Sequence, residues 1–581
     1  MTLFQRTDKN LDRRAADCDV MLLLEGTFPN VSGGVSSWVN QIIRGFPEYR
    51  FGACFIGSRR QDYGVMRYQL PDNLVHLECH YIHDTAPPAP LLPRAGDRKA
   101  FAQMTEFHEA MRGGVRQPGA AARASALFKE LLPELRDGGR LDESAFLHSK
   151  ASWDYTTEQY RQFCTDPSFV DYFWTLRIMH APVWRMARIA RELIPARSYH
   201  TISTGYAGFL GAILKEQTGR PLLLSEHGIY TKERKIDLFQ SEWIKDNRGV
   251  FEKDASQVSY FRDLWIRFFE ALGRMCYEAS DQIVALYETN RLRQVADGAR
   301  AERTMNIPNG IDLPRMAGLR ALRPATPPRV LCLIGRVVPI KDVKTFIRAM
   351  RTVVNVMPDA EGWIAGPEDE SPEYAADCRS IAASLGLENN VKFLGFQKID
   401  ELMPKLGLVI LSSISEALPL VLLEGFASGV PGVATDVGSC RQLIHGLSPE
   451  DQALGSAGEV VRIADATGLA QAAVALLSDP ARWHAAQAAG IARVERYYTQ
   501  DMMFGQYRTL YQRALGTQET PLLSETATPD TPSPARAGEG WGRSGEFDRQ
   551  ADRPRSDSAL QGGVRTAGEG RAPANSKPAP H

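Results

Sequence analysis

The chain has 581 residues, 44 % hydrophobic and 24 % charged, with a formal net charge of −1. That is the balance of a globular protein of about two to four domains, and it excludes a global field drawing the chain to nucleic acid or an anionic membrane. The eight cysteines are scattered without a C-x-x-C pair, which argues for reduced thiols and against a disulfide framework or zinc site.

The opening stretch "MTLFQRTDKNLDRRAADCD" is polar and lacks the apolar run of a signal peptide. No stretch approaches the roughly 18–20 apolar residues needed to span a bilayer. The expectation is a cytoplasmic protein whose contact with a membrane would run through partners. "VMLLLE" (20–25) reads as a strand covered on both faces, followed by a turn and a helix from near Gly34. "FGACFIG" (51–57) and "NLVHLECHYI" (73–82) are further strands. Residues about 84–160 break the rhythm: a Pro-rich connector leads into an Ala-, Glu- and Arg-rich stretch of helical periodicity, predicting a helical insertion. An amphipathic helix (175–193) precedes the strands "SYHTIST" (198–204) and "RPLLLSEHG" (220–228). A long helix (about 255–280) then leads to "DQIVALYETN" and "TMNIPNGID".

A second alternating run follows the loop 313–328. Strands are expected at 329–337, 360–367, 390–396 and 407–413, with helices between them and another from about 419. Alternation of this kind predicts parallel sheets with right-handed crossovers. The expected fold class is α/β: two doubly wound, Rossmann-like domains facing a cleft. The first spans 18–312 with the insertion, the second 327–495. A closing helix occupies 496–515, and the Pro-, Gly- and Ser-rich tail 516–581 is expected to be disordered.

The chemistry concentrates at carboxyl ends of predicted strands, where open α/β sheets bind ligands. In "SEALPLVLLEGFASGVPG" (415–432), Glu416 lies in the loop after one strand. Pro419 suits the first helical position, and the amides of Leu420 and Val421 are the free N–H groups of a helix start, an anion site. Glu424, one to two turns into that helix, can accept hydrogen bonds from a polyol such as ribose. The bland alternative makes Glu416 a helix cap and Glu424 a solvated charge. Arg336 and Lys341 follow the strand at 329–335, and both suit phosphate. Gly33 and Gly34 would let backbone approach a phosphate closely. His227 ends "PLLLSEHG", in the company of Glu226, Gly228 and Tyr230. The only Asp-x-Asp triplet, Asp17–Asp19, precedes the first strand and is read as solvated; His76, His80 and His83 are read as strand and loop residues. No Rossmann G-x-G-x-x-G or P-loop signature is present.

These blocks carry a resemblance. "SEALPLVLLEGFASGVPGVATDVGS", "GRVVPIKD" (335–342), "PNGID" (308–312) and "PNVSGGVSSWV" (29–39) resemble the signatures of the retaining glycosyltransferases of family 4, which have the GT-B fold. "EGTFPNVSGGVSSWV", "STGYAGFLGA" (203–212) and "SEHGIYTKER" (225–234) are similar to the PelF branch of Pel exopolysaccharide biosynthesis. The resemblance covers roughly residues 18–512. It implies a UDP-sugar-dependent hexosyltransferase moving a hexose or N-acetylhexosamine to a growing polysaccharide at the cytosolic side. It implies no cofactor and no metal, a glycan acceptor, and membrane-bound polysaccharide synthase subunits as partners. His227 and Glu416 would be catalytic. Gly33, Gly34, Arg336, Lys341, Leu420 and Val421 would hold the diphosphate, Glu424 the ribose, and Gly395 and Phe396 the base. One departure is visible: Gln442 stands where many family members have Glu, so it is given no charge role. The competing readings are a sugar-nucleotide epimerase or phosphorylase on the same fold, and a non-catalytic subunit that senses UDP-sugar.

Overall fold

Long apolar runs without alternation form the centres of two all-parallel sheets in the computed structural model, which describes residues 13–84, 94–113, 120–241, 243–248 and 258–516. The first sheet comprises β1 (Cys18–Glu25), β2 (Phe51–Gly57), β3 (Leu74–Tyr81), β4 (Ala196–Thr201), β5 (Leu222–Glu226), β6 (Gln282–Ala285) and β7 (Thr304–Asn306). Their spatial order is β3-β2-β1-β4-β5-β6-β7. The second comprises β8 (Val330–Ile334), β9 (Glu361–Ala365), β10 (Val391–Gly395), β11 (Leu408–Leu411), β12 (Gly432–Thr435) and β13 (Gly458–Val461), ordered β10-β9-β8-β11-β12-β13. Both are doubly wound in the 3-2-1-4-5-6 sense. The order therefore reverses between β1 and β4 in one lobe and between β8 and β11 in the other, and the crevice outside those strand ends is where such sheets take ligands.

In the first lobe, α1 (Gly34–Gly45) follows β1. Between β3 and β4 the chain makes α2 (Arg98–Gly113), α3 (Ala120–Leu131), α4 (Glu143–His148), α5 (Lys150–Phe163) and α6 (Phe169–Glu192). The helical addition is thus longer than the 84–160 expected. α6 runs for 24 residues with Pro182 inside it and buries Leu176, Met179, Trp184 and Ile189 against the same core as α5, so the amphipathic segment read at 175–193 belongs to this layer. α7 (Tyr206–Thr218), α8 (Tyr230–Gln240), α9 (Tyr260–Ala279) and α10 (Glu288–Ala296) complete the lobe.

The second lobe adds α11 (Leu313–Gly318), α12 (Val343–Val356), α13 (Pro372–Ser384), α14 (Ile399–Leu402), α15 (Leu420–Ala427), α16 (Cys440–His445), α17 (Pro449–Gln452), α18 (Ala466–Ser478) and α19 (Pro480–Tyr497). The last helix, α20 (Gln500–Gly516), packs on the first lobe: Met503, Tyr507, Leu510 and Tyr511 are buried with β1, β2 and α1. Tyr511 bonds His200 Nδ1 at 2.8 Å and Tyr507 bonds Ser225 at 2.9 Å, fixing α20 to β4 and β5. The closing helix expected at 496–515 is divided between the end of α19 and α20. The tail expected to be disordered, from 517 on, lies outside the described residues, as does most of the Pro-rich connector.

All eight cysteines are free. His76 and His80 are neighbours of Glu78 on one face of β3 and bond its two oxygens at 2.8 and 3.0 Å. Burial pushes the Glu78 carboxyl up, but these bonds outweigh it and hold it at about 2. No cluster of three or more metal-ligating side chains occurs among the described residues.

Candidate functional site

The reversal between β8 and β11 brings two distant segments together. β8 ends at Ile334, and Gly335 turns the chain with φ +154°; its carbonyl comes so close to Gly366 that a side chain at 366 would collide with it. Arg336 and Lys341 follow. Ser412, just past β11, donates to the carbonyls of Lys341 and Asp342 at 3.0 Å, and the Ile414 amide donates to Ile340 O at 2.8 Å. These bonds hold the two loops side by side. Asp342 adopts a left-handed φ of 44° and caps α12, accepting from the Thr345 amide.

Within this frame Lys341 Nζ lies 2.5 Å from Glu416 Oε1, and the Ser413 hydroxyl donates to the same oxygen at 2.6 Å. Both charged side chains are largely shielded, with 23 % and 14 % of their surface exposed. Glu416 is therefore neither a simple helix cap nor a solvated charge. The turn after β12 buttresses its loop from behind. Gly438, at φ +55°, sits so close to the Glu416 and Ala417 carbonyls that a side chain would collide, and the Ser439 amide donates to Ala417 O at 2.9 Å.

α15 starts one residue later than expected: Pro419 is its N-cap and Leu420 its first helical residue. The Leu420 and Val421 amides have no backbone partner among the described residues, as at any helix start. Glu424, in the fifth position of that helix, is half-buried, and its carboxylate makes no hydrogen bond or ion pair among the described residues. Burial pushes its carboxyl up to about 7; the Arg315 guanidinium pulls it down, but Asp400, which holds Arg315 through two bonds, pushes it up again. A desolvated carboxylate without a partner is costly, and bound hydroxyls would relieve it.

Other expected residues are placed apart from this cluster. Arg336 pairs with Glu370 at 2.5 Å, both more than half exposed. Gly395 ends β10 at φ +63° and Phe396 is 79 % exposed, two strands away from β8 at the sheet edge. Gln442 donates to Tyr498 OH at 3.1 Å and accepts from the Glu288 amide at 3.4 Å, joining the second lobe to α10. Asp17 and Asp19 lie at the opposite, amino-terminal end of β1, engaged by Arg50 and Arg197.

In the first lobe, Gly33 is the N-cap of α1, extended in backbone, and both Gly33 and Gly34 face open space. The Tyr68 hydroxyl lies 3.4 Å from the Gly33 amide. His227 follows β5 directly and is buried. Its ring meets Trp38 of α1 edge-on, centroids 4.6 Å apart, and Nε2 has no partner among the described residues. Burial pushes it down to about 4, so it is a neutral imidazole at neutral pH. Its neighbour Glu226 is fully engaged, accepting from Thr204, the Tyr230 amide, Tyr277 and Gln294. No hydrogen bond or ion pair among the described residues joins Gly33, Gly34 or His227 to Lys341 or Glu416.

Two contributors were not singled out from the sequence. Ser413 fixes Glu416, and a serine three residues before it at a strand end was the available signal. Glu25, at the end of β1, accepts from the Ala207 amide at the start of α7 and from Tyr230 OH at 3.1 and 2.8 Å. Its signal was a carboxylate closing an apolar strand.

Comparison with known proteins agrees with this layout. Residues 18–302 match a family described as a domain of unknown function (DUF3492), and residues 328–479 match the family Glycosyl transferases group 1. The glycosyltransferase group 1 match thus falls on the second lobe. The chain is 34 % identical over 208 residues to an exopolysaccharide phosphotransferase of Streptomyces coelicolor, covering 35 % of this chain and 20 % of that protein. It is 28 % identical over 219 residues to the lipopolysaccharide core biosynthesis mannosyltransferase LpsB of Rhizobium meliloti, covering 35 % and 60 %. The chain thus spans less than two thirds of these relatives. Among solved structures it superposes on Anabaena HepE in complex with UDP at a TM-score of 0.51 and 14 % identity, covering 85 % of this chain and all of that one. Sucrose-phosphate synthase from Thermosynechococcus elongatus gives 0.50 at 15 % identity, covering 86 % and 100 %. The fold is GT-B, two Rossmann-like lobes. No helix among the described residues is long and apolar enough to cross a membrane.

Proposed function

We propose that this protein is a retaining glycosyltransferase that moves a hexose or N-acetylhexosamine from a UDP-sugar to a growing exopolysaccharide of Pel type at the cytosolic side, alongside membrane-bound synthase subunits. The observation that carries the reading is the cluster Lys341–Glu416–Ser413 at the strand-order reversal of the second lobe, with the open amides of Leu420 and Val421 and the unpartnered Glu424 carboxylate on the helix that follows Glu416.

The chemistry follows from the charges. A departing diphosphate needs fixed cations and oriented N–H dipoles. Lys341 supplies an ammonium that is paired with Glu416 in the free protein. When the diphosphate arrives, Lys341 turns to it and frees Glu416 to accept from donor-sugar hydroxyls, with Ser413 still fixing that carboxylate. The α15 amides hold phosphate oxygens, Glu424 accepts from the ribose hydroxyls, and Gly395 and Phe396 border the base. Arg336 exchanges Glu370 for a phosphate oxygen. Across the cleft, Gly33 and Gly34 admit the phosphate and sugar closely, and neutral His227 offers a hydrogen bond to the sugar without adding charge. The leaving phosphate takes the acceptor proton on the same face, so configuration is retained. None of these steps uses a metal.

The test is release of nucleotide from UDP-glucose, UDP-N-acetylglucosamine and GDP-mannose, the last because one relative is named GDP-mannose-dependent. Turnover with a UDP-sugar, lost in Lys341→Ala and Glu416→Ala with the fold intact, supports the reading. Preference for GDP-mannose overturns the donor, conversion of the sugar ring without acceptor identifies an epimerase, and tight binding without turnover identifies a sensor.

A further inference from the structure

The helices added to the first lobe border a partly open cavity of about 1010 Å³ that the proposed glycosyl-transfer chemistry does not use. It lies between α2, α3, α5 and α6 on one side and α9 on the other, and Thr231 of α8 reaches it. Protein interiors are close-packed, with few voids larger than a water molecule. A space of this size is at the top of the range of roughly 300–1,000 Å³ seen for small-molecule pockets.

Most of its wall is apolar: Met104, Phe128, Leu176, Met179, Trp184 and Phe209 are examples, all buried. The polar groups in the wall are largely neutralised from within. His108 Nδ1 is 2.7 Å from Tyr155 OH, and His180 Nδ1 is 2.8 Å from Leu176 O. Burial pushes these imidazoles down to about 3 and about 4, so neither is charged at neutral pH. The Thr231 hydroxyl is buried without a partner among the described residues.

Charge is concentrated at one end. Arg274 of α9 donates to the Met111 carbonyl in the last turn of α2 at 3.0 Å. The next residue, Arg112, donates to Gln159 at 2.7 Å and lies 3.8 Å over the Phe163 ring. Neither guanidinium has a carboxylate within salt-bridge distance among the described residues. The acids that line the same cavity are already taken: Asp263 by Arg267 at 2.5 Å, Glu270 by Lys235 at 2.6 Å and Asp297 by Arg293 at 2.9 Å. Burial pushes the Arg274 guanidinium down, and the charges of Glu270 and Asp297, each already paired with a basic side chain, only partly offset it.

We infer that this cavity binds an amphiphilic anion, with the apolar body among the inserted helices and a single carboxylate or phosphate on Arg112 and Arg274. A guanidinium offers paired N–H donors suited to either head group. The wall has too few free polar groups to read a sugar or a base, which separates this site from the candidate donor site at Lys341 and Glu416.

The experiment uses the full-length protein and the fluorescent fatty acid cis-parinarate, with oleate, farnesyl monophosphate and oleyl alcohol as competitors. The expected result is saturable binding, displaced by oleate or by farnesyl monophosphate and about tenfold less well by the uncharged alcohol. Which of the two anions competes better identifies the head group. Arg274→Gln should weaken the anions by about tenfold and leave the alcohol unchanged. Met179→Trp, which fills the cavity, should abolish binding while the circular dichroism melt stays cooperative. UDP affinity should be unchanged in both variants. Absence of saturable binding, equal competition by the alcohol, or undiminished binding to folded Met179→Trp would each overturn the inference.

Discussion

Glu226 and Glu424 are the same side chain in two different circumstances. Each stands at or beyond the carboxyl end of a parallel strand, and burial pushes each up to about 7. Glu226 is surrounded by four donors from α7's approach, α8, α9 and α10. Glu424 has none among the described residues. A similar protonation equilibrium thus arises from a saturated node in the first lobe and from a carboxylate with its lone pairs free, the one we propose accepts from the ribose. The number of free lone pairs, more than the perturbed pKa, separates the carboxyl proposed to bind from the structural one.

The sharpest way to break the contrast is Glu226→Ala. It strands the Tyr277 hydroxyl, the Gln294 amide and the Tyr230 N–H in the interior, and each unmet donor costs about 1–3 kcal/mol. We expect a loss of about 3–5 kcal/mol of stability in urea unfolding, with nucleotide affinity of the remaining folded fraction unchanged. A variant as stable as the parent would show that the four bonds do not hold the lobe.

Lys341→Ala comes next. Removing one preorganised cation from a leaving diphosphate costs roughly 10²–10³ in turnover. Its effect on folding should be small, because the same change leaves Glu416 with the Ser413 hydroxyl and access to water. Single-turnover rates and thermal melts measured together separate the two effects. Turnover within a few-fold of the parent would remove Lys341 from the mechanism.

Glu424→Gln tests the other half of the contrast. In the proposed role, ionised Glu424 accepts from the ribose, and protonated Glu424 loses much of that capacity. UDP affinity should therefore rise with pH through about 7 in the parent, and the variant should bind about tenfold more weakly with no such rise. Stability carries the opposite sign. A carboxyl whose folded pKa is raised from the ordinary 4.5 to about 7 favours the folded state below 4.5, and that advantage is lost as pH rises to 7. The variant should thus be more stable than the parent at pH 8, by about 1–3 kcal/mol, and equal to it near pH 4. Equal melts at pH 8 would mean that Glu424 finds a partner in solution.

Much of this organisation was legible in the chain because parallel strands covered on both faces read as unbroken apolar runs; "VMLLLE" and "FGACFIG" lie within β1 and β2. β13, "GEVV", escaped because it is four residues long, carries Glu459 and lies at the sheet edge. The spacing of Glu416 and Glu424 pointed to the candidate site. The bond from Lys341 to Glu416 could not be read, since it spans 75 residues and depends on Ser412 tying two loops together. The cavity among the inserted helices was likewise invisible, because helix periodicity reveals an apolar face but not how closely its neighbours approach. Pro419 shows the limit of local rules: its fixed φ suits both the first helical residue and the N-cap, and the chain uses it as the cap.

The smallest expected effect belongs to Arg336. It is more than half exposed and already paired with Glu370, so water competes for it and its contact with a phosphate gains little over its contact with that carboxylate. Arg336→Ala should lower diphosphate affinity by only a few-fold, and the loss should fade as salt is raised, since exposed charges are screened over about 8 Å at physiological ionic strength. Lys341, shielded and paired with Glu416, should show far weaker salt dependence. Calorimetric titration of UDP into both variants at low and high salt makes the comparison directly. A loss in Arg336→Ala as large and as salt-independent as that in Lys341→Ala would mean that the loop after β8 closes over the ligand and draws Arg336 out of water, so that the two cations act as one clamp.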